Sequence, residues 1–279
     1  MKELIKIINF YKERKISDIK CISSFIEGID INYYTKPTRT IKTNDFIFTL
    51  FAKKINTNRN CPLCFENIYT NKYLKIIPIK LQNRYFFIQP SPKQYVSNHL
   101  VIIDFVHTSL IIDDKTIMYF YDFIKQFPSF TITSNNNLEG IGGSIREHIH
   151  YQAGIMDMPI FHRDATYYED DIYLVDWYLT TFLIKSDDIT LINEKYLYIL
   201  KKYQNEVTSF NPVMFIRNEI IHLYLIVRCA EEINIHNEYK WFKEGIGVFE
   251  AMGLFILNEQ TTPINIMNET AKLMLTYQR

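Results

Sequence analysis

The octapeptide Glu147–Gly154, EHIHYQAG, limits what this chain can fold into more than any other segment. Its polar residues His148, His150 and Gln152 fall at every second position. Residues two apart share one face of a β-strand, so in an extended chain these three point one way and Ile149 and Tyr151 the other, toward a core. Just upstream lie Gly140, Gly142, Gly143 and Ser144. Backbone amides in such a Gly turn can approach a phosphate closely, and the Ser144 hydroxyl can donate a proton. A neutral imidazole is a competent nucleophile toward phosphorus. Gln152 could hold a phosphate oxygen or steady an adduct. The plainer alternative is an ordinary exposed strand face beside a turn. The coincidence of HxHxQ with the Gly turn favours the phosphate site.

The flanking pattern supplies a sheet for that strand. FIFTLF, the 72–90 region and NHLVIIDF read as strands, TIMYFYDFIKQF (116–127) as an amphipathic helix, and FTITSN as a strand before the Gly turn. That order predicts an α+β chain built on an antiparallel sheet covered by helices. Residues 1–29 read as helix and 56–60 as a turn. In the second half, 172–184 reads as sheet, 191–205 as helix and 262–277 as a terminal helix. NPVMFIRNEIIHLYLIVR reads as a hairpin around Arg217-Asn218-Glu219, and 243–257 fits helix or strand. The expected division is an extension at 1–59, a catalytic half at 60–170 and a second half at 171–279. No short internal repeat is visible in the sequence.

Cys61-Pro62-Leu63-Cys64 has the spacing of metal ligands and needs two more, for which His107 and His148 are the natural candidates. Two rival readings stay open: a redox CxxC, and a pair of buried thiols. Such cysteine usage fits a reducing, cytoplasmic home. The N-terminus is not a signal peptide, and no stretch approaches the roughly 20 apolar residues of a membrane helix. With 31 basic and 31 acidic residues, the zero formal charge argues against a nucleic-acid binder.

Together these segments resemble the histidine triad superfamily, and within it the galactose-1-phosphate uridylyltransferase branch. Gly142-Gly143-Ser144-Ile145-Arg146-Glu147-His148-Ile149-His150-Tyr151-Gln152 is similar to GCSxxHxHxQ of one form and GGSILSHDHFQ of the second. KEGIGVFEAMGLFIL, 243–257, is similar to KENIGLIEVMGLAIL of that second form. The resemblance covers roughly 60–257. It implies a HIT-like antiparallel sheet with a second, degenerate half packed against the first. It makes His150 the nucleophile that becomes a nucleotidyl-histidine. It assigns phosphate contacts to Gln152, Ser144, and Asn136 or Asn137, and a zinc ion to Cys61, Cys64, His107 and His148. Gly142, Gly143 and Arg146 are the further candidates for holding the nucleotide.

The implied reaction carries a nucleotide from an NDP-sugar to a sugar phosphate. A phosphorylase or hydrolase of the same fold, or an inactive zinc-stabilised nucleotide-binding protein, are the alternatives. A homodimer is one assembly open to it. His162, Arg163, Arg217, His222, Arg228 and Glu250 are secondary candidates; Arg228 could bind phosphate, and Glu250 stands out as a carboxylate within an apolar run.

Overall fold

The computed structural model describes residues 39–51, 61–69, 76–139, 141–142, 145–230, 246–258, 268–269 and 271–272. The helix expected over 1–29, the turn at 56–60, most of the terminal helix over 262–277, and Gly140, Gly143 and Ser144 lie outside the described residues.

Among the described residues, ten strands form one antiparallel sheet. Five come from the first half: β3 (Ile77–Leu81), β4 (Arg84–Pro90), β5 (Ser97–Asp104), β6 (Thr131–Thr133) and β7 (His150–Ile155). Five follow: β8 (Ala165–Glu169), β9 (Ile172–Val175), β10 (Thr181–Ser186), β11 (Thr208–Arg217) and β12 (Ile220–Cys229). The order across the sheet is β3-β4-β5-β7-β6-β11-β12-β10-β9-β8. A smaller sheet joins β1 (Arg39–Lys42), β2 (Ile47–Phe51) and β13 (Leu254–Asn258), the last running parallel to β2.

The strand order contains an internal repeat. Three strands, a helix and two strands make each half, and in each the last strand inserts between the third and fourth. The helix is α2 (Thr116–Gln126) in the first half and α3 (Ile189–Tyr203) in the second; α1 is the short Phe65–Tyr69. The halves meet where β6 pairs with β11, Thr133 against Val213. The fold is thus α+β and HIT-like, with a second half repeating the first. The repeat is invisible in the sequence because a strand needs only a period-2 pattern, which many residue combinations satisfy.

Both helices lie on one face of the sheet. Ile117, Phe120, Phe123 and Ile124 of α2 are buried at the spacing of one helical stripe and pack with Ile102, Tyr151 and Ala153 of the sheet. Asp188 caps α3, its carboxylate accepting from the Thr190 amide at 2.7 Å, and Ile192, Tyr196 and Ile199 are buried beneath it. The opposite face divides in two. Over the second half it is closed by Phe161, Trp177, the small sheet and α4 (Val248–Ala251), which form an apolar core. Over the first half it carries the histidines. The 243–257 segment, ambiguous by pattern, is both: α4 and then β13 where described.

Candidate functional site

Strand β7 begins at His150, so His148 precedes the strand instead of sharing it. It is nonetheless held as firmly. The Ile149 amide donates to the Thr108 carbonyl at 2.8 Å, and the Asp104 amide to the Ile149 carbonyl at 3.0 Å. His148 is fully buried, and its Nε2 donates to the Asp104 carbonyl at 2.8 Å. Asp104 is itself buried, paired with Arg84 and accepting from the Val106 amide at 3.2 Å.

That bond leaves His148 Nδ1 as the unprotonated nitrogen of the neutral ring. It faces Cys61 Sγ at 3.4 Å and Cys64 Sγ at 3.9 Å. His107 Nδ1 lies 3.1 Å from Cys64 Sγ. The four ligand atoms all lie within 4.8 Å of one another and could hold a metal ion. The CPLC turn is shaped for this: the Cys64 amide donates to the Cys61 carbonyl at 3.2 Å, and Asn67 Nδ2 to the same carbonyl at 2.8 Å. Neither thiol is in a disulfide.

His150 is buried on the sheet face away from the helices, while Tyr151 packs under α2. Its Nδ1 donates to the His148 carbonyl at 2.9 Å. Its Nε2 has no hydrogen-bond partner among the described residues. Burial, with the nearby His148, lowers the pKa of His150, opposed by that carbonyl, and so favours the neutral ring. Gln152 follows on the same face and meets His99 Nε2 at 3.0 Å.

The asparagine run divides its labour. Asn135 Oδ1 accepts from the Val248 amide at 2.9 Å, tying α4 to the site. Asn136 Oδ1 accepts from the Leu138 amide at 2.9 Å, while its buried Nδ2 has no partner among the described residues. Asn137 Oδ1 accepts from Ser209 Oγ at 2.6 Å, so it is occupied within the protein. Gln89 Oε1, on β4, is also buried without a partner among the described residues. Orphaned buried polar atoms are rare and call for a ligand, ion or water.

Gly142 has φ of +134°, and a Cβ there would collide with the backbone of Ile246 and Gly247. Only glycine permits this close approach. Arg228 completes the junction. Fully buried, it donates from Nη1 to Asn211 Oδ1 at 2.6 Å, and from Nη2 to the carbonyls of Ile246 at 2.8 Å and Ile141 at 3.4 Å. Arg228, considered for a phosphate contact, is instead buried and braces the backbone at Ile141 and Ile246.

The other candidates lie apart or are otherwise engaged. Arg146 pairs with Glu139 at 3.3 Å. His162 pairs with Asp157 at 2.6 Å and Arg163 with Asp45 at 2.9 Å, beside a cavity of about 350 Å³ whose lining does not include His150. Burial pushes the Glu250 carboxyl up to about 7 against the lowering pull of backbone amides and Arg228. Arg217 stacks over Phe215 at 5.2 Å. His222 holds its Nδ1 on the Ile220 carbonyl at 3.1 Å, much as His150 does on His148. But it stacks nearly parallel on Phe215 with ring centroids at 4.9 Å, and a tight turn at Asn218 and Glu219 replaces the Gly turn. The second half keeps the scaffold and lacks the loop. His99, Gln89 and Asn135 escaped the sequence reading; a lone histidine, glutamine or asparagine near a strand carries no spacing signal.

The chain is similar over 90% of its length to a galactose-1-phosphate uridylyltransferase of Fusobacterium nucleatum, at 26% identity. It is similar over 71% to the enzymes of that name from Bacillus subtilis, at 28%, and Clostridium acetobutylicum, at 30%. It spans 62%, 46% and 48% of those relatives. Among solved structures, yeast Ap4A phosphorylase Apa2 superposes with a TM-score of 0.63 at 10% identity, covering 92% of this chain and 94% of that one, which shows a shared fold. Among the described residues no helix is long and apolar enough to cross a membrane. Residues 3–155, more than half of the chain, match the family described as Domain of unknown function (DUF4922), and the chain belongs to it.

Proposed function

We propose that the chain is a nucleotidyltransferase that passes a nucleotide from an NDP-sugar to a sugar phosphate by way of His150. The observation that carries this reading is the His150 ring. With Nδ1–H held on the His148 carbonyl at 2.9 Å, the lone pair sits on Nε2, which faces outward from β7. Nε2 attacks the α-phosphorus, the bond to the bridging oxygen breaks, and the sugar phosphate leaves with the electron pair. A phosphate oxygen of the acceptor then attacks the same phosphorus, and the P–N electrons return to Nε2. Asn136 Nδ2, a buried donor without a protein partner among the described residues, supports a phosphate in front of it. Gly142 and Gln152 are the further phosphate contacts in this reading; Gly143 and Ser144, which it also assigns to the phosphate, lie outside the described residues.

The similarity to uridylyltransferases favours sugar phosphate as acceptor. The fold shared with Ap4A phosphorylase supports inorganic phosphate as the second reading. The Cys2His2 cluster fits zinc. Tetrahedral Zn–S and Zn–N bonds place sulfur and nitrogen about 3.5 Å apart; three of the four such pairs here span 3.1–3.9 Å, and all four ligand atoms lie within 4.8 Å of one another. Cys61, Cys64, His107 and His148 would hold it, and the ion would fasten the CPLC turn to the backbone before His150. Two thiolates kept in this form suit a cytoplasmic, reducing compartment.

Incubation with a panel of NDP-sugars labelled in the nucleotide should give an acid-labile protein label, absent in His150→Ala. A well-folded, metallated protein that takes no label from any donor overturns the reading. Metal analysis should find about one zinc per chain, lost in Cys61→Ala. A folded sample that never contains zinc refutes the metal assignment.

A further inference from the structure

A second histidine is built into the site with more care than its place in the sequence suggests. His99 is fully buried on β5. Ser97 pairs with Ile155 and Leu100 with Ala153, so β5 takes three steps where β7 takes two. Asn98 adopts φ of +53° within this bulge. A bulge of this kind re-aims a side chain. Across from it, Gly154 leaves the necessary space, since a Cβ there would meet the Val96 side chain and the Ser97 carbonyl. Tyr95 and Phe249 pack on the imidazole with ring centroids at 5.1 and 5.2 Å. The His99 amide donates to Gln94 Oε1 at 3.1 Å, and Gln94 Nε2 donates to the Ser91 carbonyl at 2.6 Å. Four separate devices therefore fix one ring.

Its two nitrogens have fixed jobs. Nδ1 lies 2.7 Å from the Lys93 carbonyl, which can only accept, and 3.5 Å from the Tyr95 amide, which can only donate; the much shorter contact decides, so Nδ1 carries the proton. Burial drives the imidazole pKa down to about 4, which keeps the ring neutral and leaves Nε2 with only a lone pair. Nε2 therefore needs a donor, and the group facing it at 3.0 Å is the Gln152 carboxamide. Placed as Oε1, that contact would set two acceptors together. A half-turn of the carboxamide puts its N–H there instead.

We propose that His99 is a positioning residue: it accepts an N–H from Gln152 on Nε2 and so locks the carboxamide in one orientation beside His150. This rests on the nucleotidyl-transfer reading above. One amide N–H of Gln152 is then spent on His99, and the second is held at a fixed angle for an oxygen of the transferring phosphoryl group. A donor fixed in advance acts on the charge that grows in the transition state, so its loss lowers kcat more than it raises KM.

Two substitutions separate the roles of the two nitrogens. His99→Asn keeps a donor near the Lys93 carbonyl and removes the atom facing Gln152; His99→Gln reaches Gln152. With NDP-sugar and sugar phosphate as substrates, His99→Asn should lose about tenfold in kcat, with the donor KM within about twofold. His99→Gln should recover most of that loss. Adding His99→Asn to Gln152→Ala should cost nothing further. Wild-type kcat in a folded His99→Asn protein, or losses that multiply in the double variant, would overturn the proposal. Long-range 15N NMR of the nucleotide-free protein at pH 7 should find His99 as the neutral Nδ1–H tautomer. The Nε2–H tautomer or an imidazolium would also overturn it. That measurement needs no turnover, so it stands apart from failure of the nucleotidyl-transfer reading itself, which the adduct experiment decides.

Discussion

His148 and His150 are two residues apart, yet they bind different partners through opposite ring nitrogens. His148 donates from Nε2 to the Asp104 carbonyl, leaving Nδ1 for the cysteines; His150 donates from Nδ1 to the His148 carbonyl, leaving Nε2 as the proposed nucleophile. A single backbone carbonyl in each case selects the tautomer. His99 adds a residue-scale prediction about pH. Its folded pKa, about 4, lies below the ordinary value of 6.5. Between those values the unfolded chain binds a proton that the folded one refuses. The stability due to a neutral His99 is therefore complete above pH 6.5 and is lost as pH falls toward 4. Urea denaturation across pH 7 to 4 should show a shallower decline for His99→Gln than for wild type. Equal slopes would mean that His99 is not held neutral. The shared face of His150 and Gln152 is legible in sequence because a strand has period two; that His148 stands just before the strand is not. The tautomers are not, because they depend on carbonyls supplied by other elements.

At the scale of elements, loops distinguish the two halves. In the first, β6 and β7 are joined by the long segment holding the asparagines and the Gly turn, which passes under the backbone of Ile246. In the second, β11 and β12 close in a tight turn with Asn218 and Glu219 at φ of +51° and +66°. Two consecutive positive φ values call for an Asn-Gly sequence, and glutamate at the second position is strained. Glu219→Gly should stabilise the protein by about 1 kcal/mol in chemical denaturation. A destabilised variant would mean that the Glu219 side chain makes a contribution larger than its backbone strain. The hairpin was legible from its two apolar runs. The α4–β13 segment was not, since VFEAMGLFIL satisfies either period and only its packing against Asn135 and β2 decides where helix ends and strand begins.

Across the whole molecule, the second half serves the first. Arg228 leaves β12 to bind Ile141 and Ile246, and Asn211 Nδ2 on β11 donates to the Ser134 carbonyl at 3.0 Å. The asparagine and glycine loop of one half is thus braced by strands of the other. Arg228→Met should cost about 3 kcal/mol, because it strands the buried oxygens of Asn211, Ile246 and Ile141. It should also weaken nucleotide binding, through the loop that the side chain braces at Ile141. A fluorescence melt with and without an NDP-sugar reads both effects. A variant of unchanged stability and affinity would mean that the Gly turn stands without this brace.

The sequence by itself determined the alternation along β7 and the residue types of the Cys2His2 cluster, because each is written in spacing along the chain. It also carried enough pattern to indicate an antiparallel sheet covered by helices. Only the tertiary structure decided the repeat of strand order, the burial of Arg228 as a brace and the aim of His99. Each of these depends on which strand lies beside which, and on a one-residue bulge that turns a side chain toward the site. Strand pairing joins residues far apart in the chain. Its outcome is fixed by the packing of both sheet faces at once, and no local window contains that information.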